Sequence, residues 1–300
     1  MTGAYPPAPA LLQHAPTDTQ TLLSGRVLLA EDNPVNQEVA IDMLASLGCQ
    51  VTMAATGREA VAVLMQAAYD VALMDCQMPE LDGLEATRMI RAQEAEAGHQ
   101  HMPIIALTAN AFAQDREACF AAGMDDYLSK PFTLDQLHAA LARWLPPQIA
   151  APLSPTALTH DAPQATRAPE IRAVQTPAPP LRRTSSLDPK PLNALRALQQ
   201  IGVSNALEKV LRTYLRSTPP LLTTLREAVT RGDAAAVRQT AHNLKSSSAQ
   251  VGAVAFSSRC KDLEALGRAN TLTNAPMVLA YIEEEYPVVQ AALSAELDIL

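Results

Sequence analysis

Two residues in this chain of 300 stand in settings suited to carrying a phosphoryl group. Asp75 ends an apolar run in Tyr69-Asp-Val-Ala-Leu-Met-Asp-Cys-Gln-Met-Pro-Glu-Leu-Asp-Gly83. His242 lies in Ala241-His-Asn-Leu-Lys-Ser-Ser-Ser-Ala-Gln-Val-Gly-Ala253. With Glu31 and Asp32, Asp75 makes a group of three carboxylates whose mutual repulsion raises their pKa values unless a cation joins them. A hard divalent ion suits such oxygen ligands, and Mg²⁺ keeps several of its waters there. Asp75 is then a nucleophile toward a phosphoryl donor, with the metal offsetting charge on the transferring oxygens. Lys130 supplies a point charge for phosphate and Thr108 a hydroxyl donor, while the small Ala109 leaves the space above open. A neutral imidazole at His242 is a competent second nucleophile near pH 7.

These residues need elements to hold them. Short β-rich runs at 27–30, 51–54, 71–74, 104–107 and 127–128 alternate with segments of helical apolar spacing. The alternation predicts an α/β fold, a doubly wound five-stranded parallel sheet covered by helices on both faces. Sites in such sheets form at the carboxyl ends of strands. Glu31 and Asp32 follow the first run, Asp75 ends the third, Thr108 ends the fourth and Lys130 follows the fifth. Residues 188–300 show no strand signal and predict an all-α helical bundle, with helices near 191–200, 204–231, 233–250, 253–267 and 275–297. Gly202, Gly232-Asp233, Gly252 and 271–274 break the pattern, and Pro219-Pro220 is expected to kink or divide the second helix. With the helical period carried on to Ala255, Val237, Ala241, Leu244, Ser248, Val251 and Ala255 share a stripe roughly 80° wide. His242 falls about 140° from it, beside Lys245, Ser246 and Ala249, so the imidazole is expected on the solvent side, open to another protein's active site. There Lys245 can screen a phosphate and Ser246 is small.

Residues 25–147 resemble the receiver domain of two-component response regulators, a flavodoxin-like fold. The resemblance rests on Leu-Leu-Ala-Glu31-Asp32-Asn-Pro-Val-Asn, Met-Asp75-Cys-Gln-Met-Pro-Glu-Leu-Asp-Gly, Ala-Leu-Thr108-Ala-Asn and Tyr-Leu-Ser-Lys130-Pro-Phe. It implies Asp75 as phosphoacceptor and Glu31, Asp32, Asp75 and the Gln77 backbone carbonyl as metal ligands. It also implies Tyr127 as a switch aromatic that turns inward with Thr108, a cis Lys130-Pro131 peptide, and a tuning role for Gln77 and Asn110 in the lifetime of the aspartyl phosphate. Residues 188–300 resemble the histidine-containing phosphotransfer (HPt) domain through 241–253 and Cys260-Lys-Asp-Leu-Glu-Ala-Leu266, with Ser246 where many members have glycine. By the same resemblance the first receiver helix, including Asn36, Ala40 and Leu44, with Pro131-Phe132, contacts the histidine-bearing bundle. A histidine kinase's dimerisation helix is a poorer match, because Asn243 and Ser248 stand where that family has an acid and a proline. No glycine-rich ATP lid is found, so ATP-dependent kinase activity is not expected.

Residues 1–24 and 148–187 are rich in Pro, Ala and Thr and are read as a disordered tail and linker. A flexible linker of that length spans roughly 35 Å, enough for the two folded parts to meet. The formal charge of -8, with no basic block or aromatic platform, argues against nucleic-acid binding. No run approaches a membrane span, residues 1–24 do not read as a signal peptide, and the four dispersed cysteines suggest neither a disulfide framework nor a zinc site. A cytoplasmic location is expected. The leading functional expectation is a phosphorelay intermediate that takes a phosphoryl group from a sensor histidine kinase on Asp75 and passes it through His242 to or from another receiver. In the competing expectation the receiver is an interaction switch and the bundle its docking module or phosphate sink.

Overall fold

The computed structural model describes residues 22–98, 100–109, 113–147 and 187–300. The expected disorder of the tail up to residue 21 and of the linker at 148–186, and the tuning position Asn110, lie outside the described residues. Strands β1 (Arg26–Ala30), β2 (Gln50–Ala54), β3 (Val71–Asp75), β4 (Ile104–Thr108) and β5 (Asp126–Ser129) alternate with helices α1 (Pro34–Ser46), α2 (Gly57–Leu64), α3 (Gly83–Ala97), α4 (Ala113–Ala122) and α5 (Leu134–Leu141). The sheet is parallel with order β2-β1-β3-β4-β5, so Val27 of β1 pairs with Val51 on one side and Val71 on the other. β3 and β4 are buried along their whole length, as continuous apolar strands covered on both faces must be. Alternate side chains feed two cores. Val27, Leu29, Leu73 and Leu107 pack with α1 and α5, while Leu28, Ala72, Met74 and Ala106 pack with α2, α3 and α4.

The chain order turns back between β1 and β3, the switch point where a doubly wound sheet opens a crevice at its carboxyl edge. Asn33 caps α1 by accepting from the Val35 and Asn36 N–H groups, which anchors the chain just after Glu31 and Asp32. At the end of β3, α3 starts so close that a Cβ on Gly83 would sit 2.0 Å from the Asp75 carbonyl oxygen. Only glycine permits that approach. The Lys130-Pro131 peptide is cis.

Residues 187–300 form α6 (Pro189–Gln200), α7 (Ala206–Arg231), α8 (Ala234–Gln250), α9 (Val254–Arg268) and α10 (Ala275–Leu297). Pro219 and Pro220 do not divide α7: Leu211, Tyr214, Leu222 and Leu225 lie buried on both sides of them, and packing along that stripe outweighs the lost backbone bonds. The predicted stripe on α8 is buried from Val237 to Val251, but Ala255 is exposed. The helix ends at Gln250 and Gly252 turns the chain at φ 76°, so the period does not continue. Leu23, read as part of the tail, is buried and donates its N–H to the Leu47 carbonyl.

The α/β unit and the bundle pack together. α1 lies against α6, α7 and α8, and one apolar cluster runs from the α1 face of the sheet into the bundle. Polar contacts tie the seam. Asn33 Nδ2 donates to the Asn243 carbonyl at 2.8 Å, Asn36 Nδ2 to Ser246 Oγ at 3.1 Å, and Lys209 Nζ to Asp42 at 3.1 Å.

Candidate functional site

One potential ligand atom from each of Glu31, Asp32 and Asp75 lies within 4.8 Å of the others. Lys130 reaches into this acidic group from the far end of β5. Its Nζ lies 2.5 Å from Glu31 Oε2 and 2.7 Å from Asp75 Oδ2, with all three side chains almost wholly buried. Burial pushes the Asp75 carboxyl up to about 7, the Lys130 ammonium opposing that rise and the Glu31 charge adding to it. Burial alone would lower Lys130, yet the charges of Asp75 and Glu31 raise it, so it remains a cation. Glu31 commits both oxygens, Oε2 to Lys130 and Oε1 to Asn36 Nδ2 and the Asn33 N–H. Asp32 differs. Its Oδ2 accepts from Asn243 Nδ2 at 2.9 Å and Gln239 Nε2 at 3.3 Å, both from α8, while its Oδ1 is buried with no hydrogen-bond partner. A buried, unpartnered carboxylate oxygen beside two further acids fits a hard divalent cation.

A cavity of about 140 Å³ opens over Asp75, lined by Gln77, Thr108 and Ala109 from the α/β unit and by Arg238 from α8. A second, of about 250 Å³, is lined by Asn36, Ala109, Lys130 and Pro131 on one side and by Lys245, Ser246 and Ala249 on the other. Ala109 belongs to both, so the small side chain expected to leave room stands where the cavities meet. Tyr127 is half-buried under the Arg116 guanidinium, 4.3 Å from the ring centroid, and edge-on to Phe120. The four cysteines are free thiols, and the Cys76 and Cys119 sulfurs lie 3.6 Å apart beside Asp75.

His242 is off the apolar stripe, as its spacing requires, but it is not exposed: its relative accessibility is 1%. The polar face of α8 is covered, by α9 on one side and by α1 with its carboxylate loop on the other. His242 Nδ1 lies 3.0 Å from Glu264 Oε1, and the same carboxylate holds Lys245 Nζ at 2.5 Å and Arg268 Nη2 at 3.3 Å. Burial would raise Glu264, but the hydrogen bond and charge of His242, with the Lys245 ammonium, bring it down to about 2. An ionised carboxylate only accepts, so the ring proton belongs on Nδ1 and the lone pair on Nε2. Nε2 is buried without a partner. Burial holds the His242 pKa below its ordinary value, against the hydrogen bond it donates to Glu264, and the nearby Lys245 charge lowers it further.

The structure thus brings together Glu31, Asp32, Asp75, Gln77, Thr108 and Lys130 at one sheet edge and sets Lys245 and Ser246 of α8 across from them. Asn36 meets the bundle through Ser246, and Pro131 lines the shared cavity. Sequence reasoning missed Glu264, Asn33, Asn243 and Arg238. Glu264 had a signal, since an acid interrupts the otherwise apolar buried face of Phe256, Cys260, Leu263 and Gly267.

Residues 27–142 match the response regulator receiver domain and residues 209–295 the Hpt domain. The sensor protein GacS of Pseudomonas syringae pv. syringae is 43% identical over 119 residues, which cover 40% of this chain and 13% of that protein. The crystal structure of the receiver domain of sensor histidine kinase PA1611 from Pseudomonas aeruginosa PAO1, with a magnesium ion in its active site cleft, is 54% identical. That match covers 40% of this chain and 97% of the other, with a TM-score of 0.37. A chain of the co-crystal structure of the Saccharomyces cerevisiae phosphotransfer protein Ypd1 and the receiver domain of its downstream response regulator Ssk1 is 32% identical, covering 41% of this chain and 90% of that one, TM-score 0.40.

Proposed function

Because residues 27–142 are a response regulator receiver domain and residues 209–295 an Hpt domain, we propose that the chain is a phosphorelay intermediate in which Asp75 and His242 are successive phosphoryl carriers. Asp75 takes the group from the phosphohistidine of a sensor kinase, and His242 exchanges it with a separate receiver. The observation that carries the proposal is the mutual seating of the two sites. Asn243, the residue after His242, donates to Asp32, and the next turn of α8 offers Ser246 to Asn36. The two contacts hold the imidazole's face of α8 against the acidic pocket. Asp32, Asp75 and the Gln77 carbonyl, with Glu31 beside them, would hold Mg²⁺. When bound, that ion offsets negative charge on the phosphoryl oxygens.

The chain's own groups do the rest. Lys130 holds the Asp75 carboxylate and is placed to follow the phosphoryl oxygens, while Thr108 lines the space those oxygens enter. Glu264 fixes the Nδ1–H tautomer and leaves the Nε2 lone pair to attack phosphorus. As the N–P bond forms, the Asp75 oxygen–phosphorus bond breaks and its electron pair returns to the carboxylate. The resulting imidazolium keeps its Nδ1 proton against Glu264, whose negative charge stabilises it. The receiver and bundle are in one chain, so the tether raises their effective concentration toward millimolar and favours transfer within the molecule. Among the described residues no helix is long and apolar enough to cross a membrane.

The test is to load purified protein from a labelled acyl phosphate with Mg²⁺ and classify the bound label by acid and base stability. Acid-labile, base-stable label on His242 that vanishes in Asp75→Asn supports the relay. Base-labile label that stays on Asp75 refutes it and favours a receiver switch with the bundle as docking module.

A further inference from the structure

Arg238 lies one helical turn before His242 on α8, on the same side of the helix. Arg238 lines the cavity over Asp75, together with Gln77, Thr108 and Ala109. Among the described residues it makes no hydrogen bond or ion pair, although Asp82 and Asp115 line the same cavity. The other cations near the path are committed. Lys130 is held by Glu31 and Asp75, and Lys245 by Glu264. An arginine that lines the cavity over the acidic pocket from the opposing domain and keeps its donors unspent is arranged for an anion that arrives there. Its planar fork of N–H groups matches phosphoryl oxygens, which a single ammonium does less well.

We propose that Arg238 is a catalytic residue which the bundle lends to the receiver pocket, contacting the phosphoryl group as it passes between Asp75 and His242; the role rests on the relay reading above. As His242 Nε2 bonds to phosphorus and the Asp75 oxygen departs with its electron pair, the transferring group is planar, with its three oxygens around the axis. Lys130 and Lys245 line the cavity on one side of Ala109 and Arg238 lines the other, so the oxygens meet cations on both flanks. Arg238 comes from α8, so it is present only while the bundle is docked. The transfer between domains therefore has a cation that loading of an undocked receiver lacks.

The full chain tests this in a single-turnover experiment. Asp75 is loaded from a radiolabelled acyl phosphate with Mg²⁺, excess donor is removed, and acid-labile label on His242 is followed in wild type, Arg238→Gln, Arg238→Lys and Arg238→Ala. Rates are counted per loaded Asp75. Removing a charge-assisted contact to the transferring group is expected to slow Arg238→Gln by about tenfold to a hundredfold. Arg238→Lys is expected between the two, and millimolar guanidinium ion is expected to recover part of the loss in Arg238→Ala. Arg238 is exposed, so unchanged far-UV ellipticity and melting would show that the variants are folded. Wild-type transfer with an equal rate in Arg238→Gln overturns the role and leaves the relay standing. Wild type that loads Asp75 but passes nothing to His242 overturns both.

Discussion

Replacing Glu264 by glutamine separates a carboxylate that orients His242 from one that merely fills a buried site. Its pKa falls from 4.5 to about 2 because the folded protein favours the charged form. At 1.36 kcal/mol per unit, that shift corresponds to about 3 kcal/mol of stability at pH 7. The geometry supports a similar size, since two buried charge-assisted bonds, to His242 and Lys245, are lost at about 1.5–3 kcal/mol each before desolvation is subtracted. The sign follows from the depressed pKa. The contribution is complete above the unfolded value of 4.5 and drains away as pH falls toward 2, with about 2 kcal/mol gone by pH 3. Urea denaturation should therefore show Glu264→Gln weakened by about 2–3 kcal/mol at pH 7, with the gap from wild type narrowing at lower pH. Ellipticity at 222 nm reads the helices, and the single tryptophan, Trp144, reads the receiver alone. In the proposed relay the same change removes the counter-charge to the phosphoimidazolium and frees the tautomer, slowing transfer to His242 by about tenfold to a hundredfold. Equal stabilities at every pH, or an Nε2–H tautomer in the wild-type nitrogen chemical shifts, would refute the argument.

Transfer to His242 should persist below pH 6.5, because its lowered pKa keeps the imidazole neutral there, and a pH–rate inflection at or above 6.5 counts against that reasoning. The unfolded chain then binds more protons than the native one just below pH 6.5, so His242 subtracts from stability as the solution is acidified. Gly83→Ala drives a methyl group to 2.0 Å from the Asp75 carbonyl; the expected outcome is a loss of about 1–3 kcal/mol or more by thermal melting, with loading of Asp75 impaired. Chelation of Mg²⁺, or Asp32→Asn, should suppress labelling of Asp75 from an acyl phosphate, and undiminished labelling would argue that the acidic group needs no metal. Lys209→Glu replaces an attraction to Asp42 and Glu38 with repulsion across the seam. Diethyl pyrocarbonate should then modify His242 faster than in wild type, and unchanged protection would show that this pair does not hold the domains together.

The receiver was legible because its signals are redundant. The central strands β1, β3 and β4 are buried and write nearly continuous apolar runs, and a parallel sheet with that connection pattern leaves one edge for its polar residues. The bundle's helix count was legible from glycine breaks and periodicity. Pro219-Pro220 misled because a local penalty of about 3 kcal/mol in mid-helix is smaller than the packing of a 26-residue amphipathic helix. His242 misled for another reason. Periodicity reports which face of α8 avoids its own core, and does not report what covers the other face. Here a buried acid on α9 and the asparagines of α1 cover it. Asn36 is expected at the bundle by resemblance and Asn33 is not singled out, yet each has one partner in its own domain and another in the bundle.

That double use bears on how a relay of this kind can run. Asp75 and His242 are 2% and 1% exposed in the docked arrangement, so neither an outside kinase nor an outside receiver has access while it lasts. The polar seam consists of amide contacts and a half-exposed lysine pair, the sort of bond that water replaces at small net loss. Its apolar part lies along α1, which is buried on its sheet side by Val35 and Val39 and on further faces by Asn36, Ala40 and Asp42. A helix wrapped on several sides holds its place whether or not the partner stays. For the proposed relay to exchange with outside proteins this interface has to separate, and its polar groups can be resolvated while the sheet keeps α1 in place. The tether then returns the bundle to the pocket. In the proposed relay, occlusion in the docked form therefore requires that exchange with outside proteins run through an undocked one.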